Sequence, residues 1–172
     1  MNDSQQPVMV ENLLQVNRYE PAPEKVELIQ THASWVFLAG DYVYKIKKPV
    51  NFGFLDFSTL AKRSFYCQEE LRLNRRLGGD YYLRVENVVR REGGCFFGGQ
   101  GQVVDYAVVM RRLPESFLMR QLLADDQLQE SQLDELVGLL HSFYEEAKVF
   151  KGGRFGTREK VRFDVEENFT QT

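Results

Sequence analysis

The chain has 172 residues, enough for one domain with a real core and too few for two comfortable ones. Hydrophobic residues make up 43% and charged residues 27%, an ordinary globular balance. A net charge of −3 argues against a dedicated nucleic-acid binder, which would be strongly basic.

Residues 8–19 read as a short amphipathic helix, with Val10, Leu13 and Leu14 on one face and Pro21 and Pro23 ending it. From Val26 the period changes to that of strands. Val26 to Ile29, Trp35 to Leu38 and Tyr42 to Lys47 form three strands, with a tight turn at Ala39-Gly40-Asp41. Such short connections predict an antiparallel meander. Residues 58–77 read as a helix capped by Ser58 or Thr59 and closed by Gly78-Gly79. Leu60, Cys67 and Leu71 line one stripe of it, and Glu70, Leu73 and Leu77 a neighbouring one. Leu83 to Arg91 and Cys95 to Phe97 flank Glu92-Gly93-Gly94, a hairpin signal. Val103 to Met110 is apolar enough to be central in the sheet. Residues 116–124 and 131–147 read as helices, the second capped by Ser131 and broken by Lys151-Gly152-Gly153, before a charged tail from Thr157. No apolar stretch approaches the roughly 18 residues of a membrane span. The polar start, Met1 to Gln6, lacks the basic-then-apolar design of a signal peptide, so a cytoplasmic location is expected. Cys67 and Cys95 read as packed thiols, because with His32 and His141 they offer no familiar zinc spacing.

The order of strands, one long helix, further strands and then helices matches the small lobe of a protein-kinase-like fold. Kinase chemistry asks for a turn that covers nucleotide phosphates, a strand lysine that pairs with them, and a helix glutamate that holds the lysine. Lys45, in V-Y-K-I on the third strand, is the candidate lysine. Lys47 shares its sheet face and competes with it, whereas Lys48 should point away to the surface. Glu70 is the candidate carboxylate, with Glu69 about 100° round the helix as its competitor. The turn Thr31-His32-Ala33-Ser34 has no glycine, yet its backbone N–H groups and the Ser34 and Thr31 hydroxyls are candidates for phosphate. Met110-Arg111-Arg112-Leu113-Pro114 would be the crossover on which an adenine pairs, which puts Met110, Arg111 and Leu113 among the nucleotide contacts.

Four blocks carry a family resemblance: S-W-V-F-L-A-G-D-Y-V-Y-K-I-K-K-P-V, F-G-F-L-D-F-S-T-L, C-Q-E-E-L-R-L-N-R-R-L and Y-A-V-V-M-R-R-L-P. Over residues 26–172 the chain resembles the N-terminal region of the aminoglycoside-phosphotransferase-like proteins of bacteria, a region fused in many of them to a P-loop ATPase or kinase domain. The resemblance implies an α+β fold: a kinase-like N-lobe of about five to six antiparallel strands plus one long helix, followed by the first helices of a C-lobe. The corresponding division is 1–25 for an N-terminal helix and linker, 26–113 for the lobe and 114–172 for the start of an incomplete helical part. It also implies ATP or GTP with Mg²⁺ as ligands, an unassigned small-molecule acceptor, Lys45 as the nucleotide lysine and Glu70 as its partner. Leu139-Leu140-His141-Ser142-Phe143 then looks like the helix before the catalytic loop, with His141 a packed residue and not a base.

The family's H-G-D-L-H-x-x-N loop and its later metal-binding Asp are missing, so no catalytic or metal-binding residue is assigned. Asp164 with Asn168, and Asp56-Phe57-Ser58, imitate parts of that machinery at the wrong spacing or place. The expectation is a fragment, a truncated product or a degenerate relative, whose missing C-terminal part or P-loop domain would be a partner. The alternative is a non-catalytic, pseudokinase-like binding module. A third reading, RNA binding through the arginine pairs at 75–76, 90–91 and 111–112, runs against the overall acidity. A lobe without its partner should expose an apolar face around Met110 and the 131–147 helix, which favours self-association.

Overall fold

The computed structural model describes residues 5–149 and 156–170. The architecture is α+β: one curled, antiparallel six-stranded sheet and several helices. Strands β1 (Val26–Gln30), β2 (Ser34–Ala39) and β3 (Tyr42–Lys47) form the expected meander. Ala39 pairs directly with Tyr42, so the β2–β3 connection is only Gly40-Asp41, and Gly40 takes φ 58°, the left-handed geometry such a turn favours. Strands β4 (Tyr82–Arg91), β5 (Gly94–Phe97) and β6 (Gln102–Arg111) complete the order β1-β2-β3-β6-β4-β5. The apolar β6 is indeed internal, between β3 and β4, and Ala107, Val108 and Val109 are fully buried on it. A strand covered on both faces reads as a continuous apolar run, and β6 does.

Helix α2 (Leu60–Gly78) packs over β6 and β4. The Thr59 hydroxyl caps it by accepting the Lys62 N–H at 3.2 Å, and Gly79 with φ 47° closes it. The inward line of α2 is Arg63, Cys67 and Glu70, at i, i+4 and i+7. Leu73 and Leu77 were expected on Glu70's stripe, and both are exposed. A glutamate held inward by cations needs no apolar neighbours on its own side of the helix.

Helix α1 (Gln5–Leu13) is shorter than the expected 8–19 and continues as a separate 3-10 turn over Val16–Arg18. It is no mere linker. Met9 and Leu13 are completely buried in the sheet's core cluster with Tyr19, Phe37, Tyr44 and Phe97. Val10 packs on the edge of that cluster, and Leu14, expected on the buried face, is exposed. Polar contacts pin the segment. The Tyr19 hydroxyl donates to the Leu13 carbonyl at 2.6 Å, and Asn12 Oδ1 accepts the Cys95 N–H of β5 at 3.0 Å. A Cβ on Gly94 would lie 2.3 Å from Asn12 Oδ1, so glycine at that position is what admits the helix.

The chain divides into two compact units, one up to Leu128 and one from Gln129 onward. The first therefore includes the N-terminal helix and the short α3 (Met119–Ala124), which places the division past the expected boundary at 113/114. The second holds α4 (Glu130–Glu145) and α5 (Arg158–Thr170). In α4 the capping contact is the Gln129 N–H donating to Gln132 Oε1 at 2.9 Å, and Ser131, expected as the cap, lies inside the first turn. Helix α5 stands where the sequence suggests only a charged tail. Its support is short-range: the Thr157 hydroxyl accepts the Lys160 N–H at 3.1 Å, and Lys160–Asp164 and Arg162–Glu166 pair at i, i+4. The glycine break at 151–153 lies outside the described residues. Among the described residues, no helix is long and apolar enough to cross a membrane.

Because Leu13 fills the core and Leu14 does not, truncating them should separate cleanly. Leu13→Ala should cost about 2–5 kcal/mol of unfolding free energy, and Leu14→Ala about 0.5 kcal/mol or less. Urea denaturation followed by tryptophan fluorescence measures both.

Candidate functional site

Strand alternation sets which side chains of the meander can meet α2. Lys45 lies opposite Val36 on β2 and Val108 on β6, and Lys47 follows two residues on, so both point to one face. Glu70 reaches down from α2 to that face. Lys45 Nζ donates to Glu70 Oε1 at 2.9 Å, and Lys47 Nζ donates to Glu70 Oε2 at 2.5 Å. Both competing lysines are engaged, each by its own carboxylate oxygen. They differ in exposure: the Lys45 side chain is 32% exposed and that of Lys47 only 6%. Lys47 also lies 4.8 Å from the Phe57 ring centroid, a cation–π contact that helps hold a buried ammonium. Glu69, the competing carboxylate, pairs instead with Arg72 along the outer side of α2.

Burial alone would raise the Glu70 carboxyl. The hydrogen bonds and charges of Lys47 and then Lys45 outweigh burial and hold it below the ordinary glutamate range. A second ion pair lies about two helical turns away along α2, and sequence reasoning missed it. Arg63 Nε donates to Asp105 Oδ1 at 2.8 Å and Oδ2 at 3.1 Å, with both side chains almost fully buried. Arg63 also donates to the Phe57 carbonyl at 3.1 Å, and Asp105 accepts the Tyr106 N–H at 2.9 Å. The signal was present in the sequence: an aspartate inside the apolar run V-V-D-Y-A-V-V-M needs a buried cation, and Arg63 stands on the line of Cys67. Between the two pairs, burial pushes the Cys67 thiol up to about 12.

Helix α2 covers β6 and β4. On the Lys45 face beyond it, Val36, Leu38, Val43 and Met110 are only half-buried, while Phe37, Tyr44 and Val109 on the opposite face are buried. Met110 pairs with Val43 and so joins Lys45 on one face. Arg111 pairs with Tyr42, one residue out of step, and points to the other. It lines a cleft of 570 Å³ with Asp41, Tyr42, Leu113 and Phe117. The expected crossover residues are thus divided: Met110 stands beside Lys45, and Arg111 and Leu113 line the cleft.

The β1–β2 turn is closed by its own groups. The Thr31 hydroxyl accepts the Ser34 N–H at 2.9 Å, the Thr31 N–H donates to the Ser34 carbonyl at 2.9 Å, and Ser34 is buried. Of the two hydroxyls expected to contact phosphate, that of Thr31 is therefore engaged by the Ser34 backbone and that of Ser34 belongs to a buried residue, and His32 and Ala33 form the tip. Lys48, expected to point away to the surface, donates there to the Thr31 carbonyl at 2.7 Å and ties this turn to the end of β3. Asp56, in the segment that imitates a metal-binding motif, is occupied by Lys62 and Ser58, and its carboxyl is lowered to about 2, mainly by the bond from Lys62.

Uncharacterized proteins of Mycobacterium tuberculosis and Mycobacterium bovis share 31% identity with this chain over 123 residues. The match takes in 72% of this chain and 23% of each relative, so the chain spans about a quarter of the length of these curated relatives. No family model matches the chain, and no solved structure matches it.

The lowered Glu70 carboxyl sets a pH dependence. Its stabilising contribution is fully present above the unfolded glutamate pKa of about 4.3 and is lost as pH falls through the lower folded value. The wild-type advantage over Glu70→Gln should thus be constant near neutral pH and shrink below about pH 4. Chemical denaturation of both proteins across pH 3–7 checks it.

Proposed function

We propose that this chain is the nucleotide-binding part of an ATP-dependent phosphotransferase, a kinase-like N-lobe of the aminoglycoside-phosphotransferase-like type. The ligand is ATP or GTP, and the acceptor is a small molecule of unassigned class. The observation that carries this reading is the bridge from Lys45 on β3 to Glu70 on α2, made at 2.9 Å across 25 residues of sequence. A strand lysine presented by a helix glutamate is the arrangement that receives nucleotide phosphates in kinase-type sites. The half-buried strip of Val36, Leu38, Val43 and Met110 adds support, since it offers an apolar shelf for a planar base on the lysine's own side of the sheet.

A second reading is a non-catalytic, pseudokinase-like binding module. It is favoured by the state of the two carboxylates paired beneath α2. Glu70 is taken by two ammonium groups and Asp105 by a guanidinium, so neither is available as a base or a metal ligand. On this face, therefore, the acidic residues do not fit the expected Mg²⁺.

Isothermal titration of ATP–Mg²⁺ into the wild type and Lys45→Met tests the first reading. Removing a charge-assisted hydrogen bond should weaken binding by about tenfold or more. Equal affinity would overturn the assignment of Lys45. Incubation with labelled ATP and a panel of hydroxylated small molecules separates the two readings, since only the first predicts transfer.

A further inference from the structure

One carboxylate here serves two lysines, and the division between them is unequal. Lys47 is nearly buried, sits over the Phe57 ring and makes the 2.5 Å contact. Lys45 bonds the other carboxylate oxygen and keeps a third of its side chain in the open. In an ordinary two-member pair, drawing the lysine toward a ligand would strip a buried carboxylate of its counter-ion, a loss on the scale of a broken buried salt bridge. That penalty is absent here, because Glu70 stays bonded to Lys47 whichever way Lys45 turns.

The charges point the same way. Two ammonium groups against one carboxylate leave one positive charge over. The neighbouring Arg63–Asp105 pair is neutral as a whole, and the Cys67 thiol between them stays protonated near neutral pH because burial pushes it up to about 12. A half-buried site with a surplus cation calls for an anion and has already part of the neutralising charge that a nucleotide would otherwise bring as a bound metal.

We propose that Lys47 is a positioning residue that keeps Glu70 occupied and so frees Lys45 to bind a nucleotide phosphate without a divalent cation between them. The inference rests on the nucleotide reading above and deepens it. It concerns binding only; no bond is made or broken.

The test is isothermal titration of ATP into the 172-residue chain, once with Mg²⁺ and once with EDTA, for the wild type, Lys47→Met and Lys47→Arg. The wild type should bind in EDTA within about threefold of its affinity with Mg²⁺. Lys47→Met should weaken metal-free binding by about tenfold or more, and Lys47→Arg, which keeps the charge, should restore most of it. Circular dichroism reports whether Lys47→Met folds; if it does not, the wild type and Lys47→Arg carry the test by themselves. Binding by the wild type only with Mg²⁺ overturns this proposal and leaves the nucleotide reading standing. A folded Lys47→Met that binds in EDTA as the wild type does overturns the role of Lys47. No binding of ATP by the wild type in either condition overturns both.

Discussion

The Glu70 carboxylate is where helix α2 is joined to the two lysines of β3. It descends from α2 between Lys45 and Lys47 and takes one bond from each. Burying Glu70 and Lys47 is costly, and it is tolerated only because each has a partner of opposite sign at hydrogen-bond distance. The same rule governs the second pair, in which Arg63 and Asp105 satisfy each other beneath α2 while Phe57 and Tyr106 supply the remaining backbone contacts. Together the two pairs set the rotation of α2 about its axis. A turn of one residue, about 100°, would put Glu69 or Leu71 in the place of Glu70 and swing Arg63 away from Asp105, leaving a buried carboxylate without its cation.

The other side of the sheet is held by apolar packing. There α1 places Met9 and Leu13 against the aromatic cluster of Tyr19, Tyr44 and Phe97, whose ring centroids lie 4.4–5.1 Å apart. With α1 on one face and α2 on the other, the sheet is enclosed where α2 crosses β6 and β4. It stays partly open along β2 and β3 on the lysine side. The candidate site is thus a product of coverage: the lysines are positioned by a helix that stops short of covering the strip beside them.

A single residue of register decides what the β6 end can do. Met110 falls on the lysine face and Arg111 on the opposite one, where a separate cleft lies. The β1–β2 turn makes a comparable point. Thr31 and Ser34 both carry hydroxyls at a turn, yet the Thr31 hydroxyl is taken by the Ser34 backbone and closes the loop, with Lys48 holding it from the end of β3.

Much was legible in the residues alone because it rests on local rules. Alternation placed the three meander strands and set Lys45 and Lys47 on a common face, and a nearly continuous apolar run put β6 inside the sheet; Thr59 and the two glycines bounded α2. The meeting of Lys45 with Glu70 was readable as an expected pairing of opposite charges on consecutive elements. What tertiary structure alone decided is how contested partners are shared. Local sequence cannot say that one carboxylate accepts two lysines, that Arg63 turns inward to Asp105 across 42 positions, or that Met9 rather than Leu14 enters the core. Those outcomes follow from burial, which depends on every element at once: a charge finds its partner, and a methyl group its cavity, only after the sheet has curled and both helices have docked.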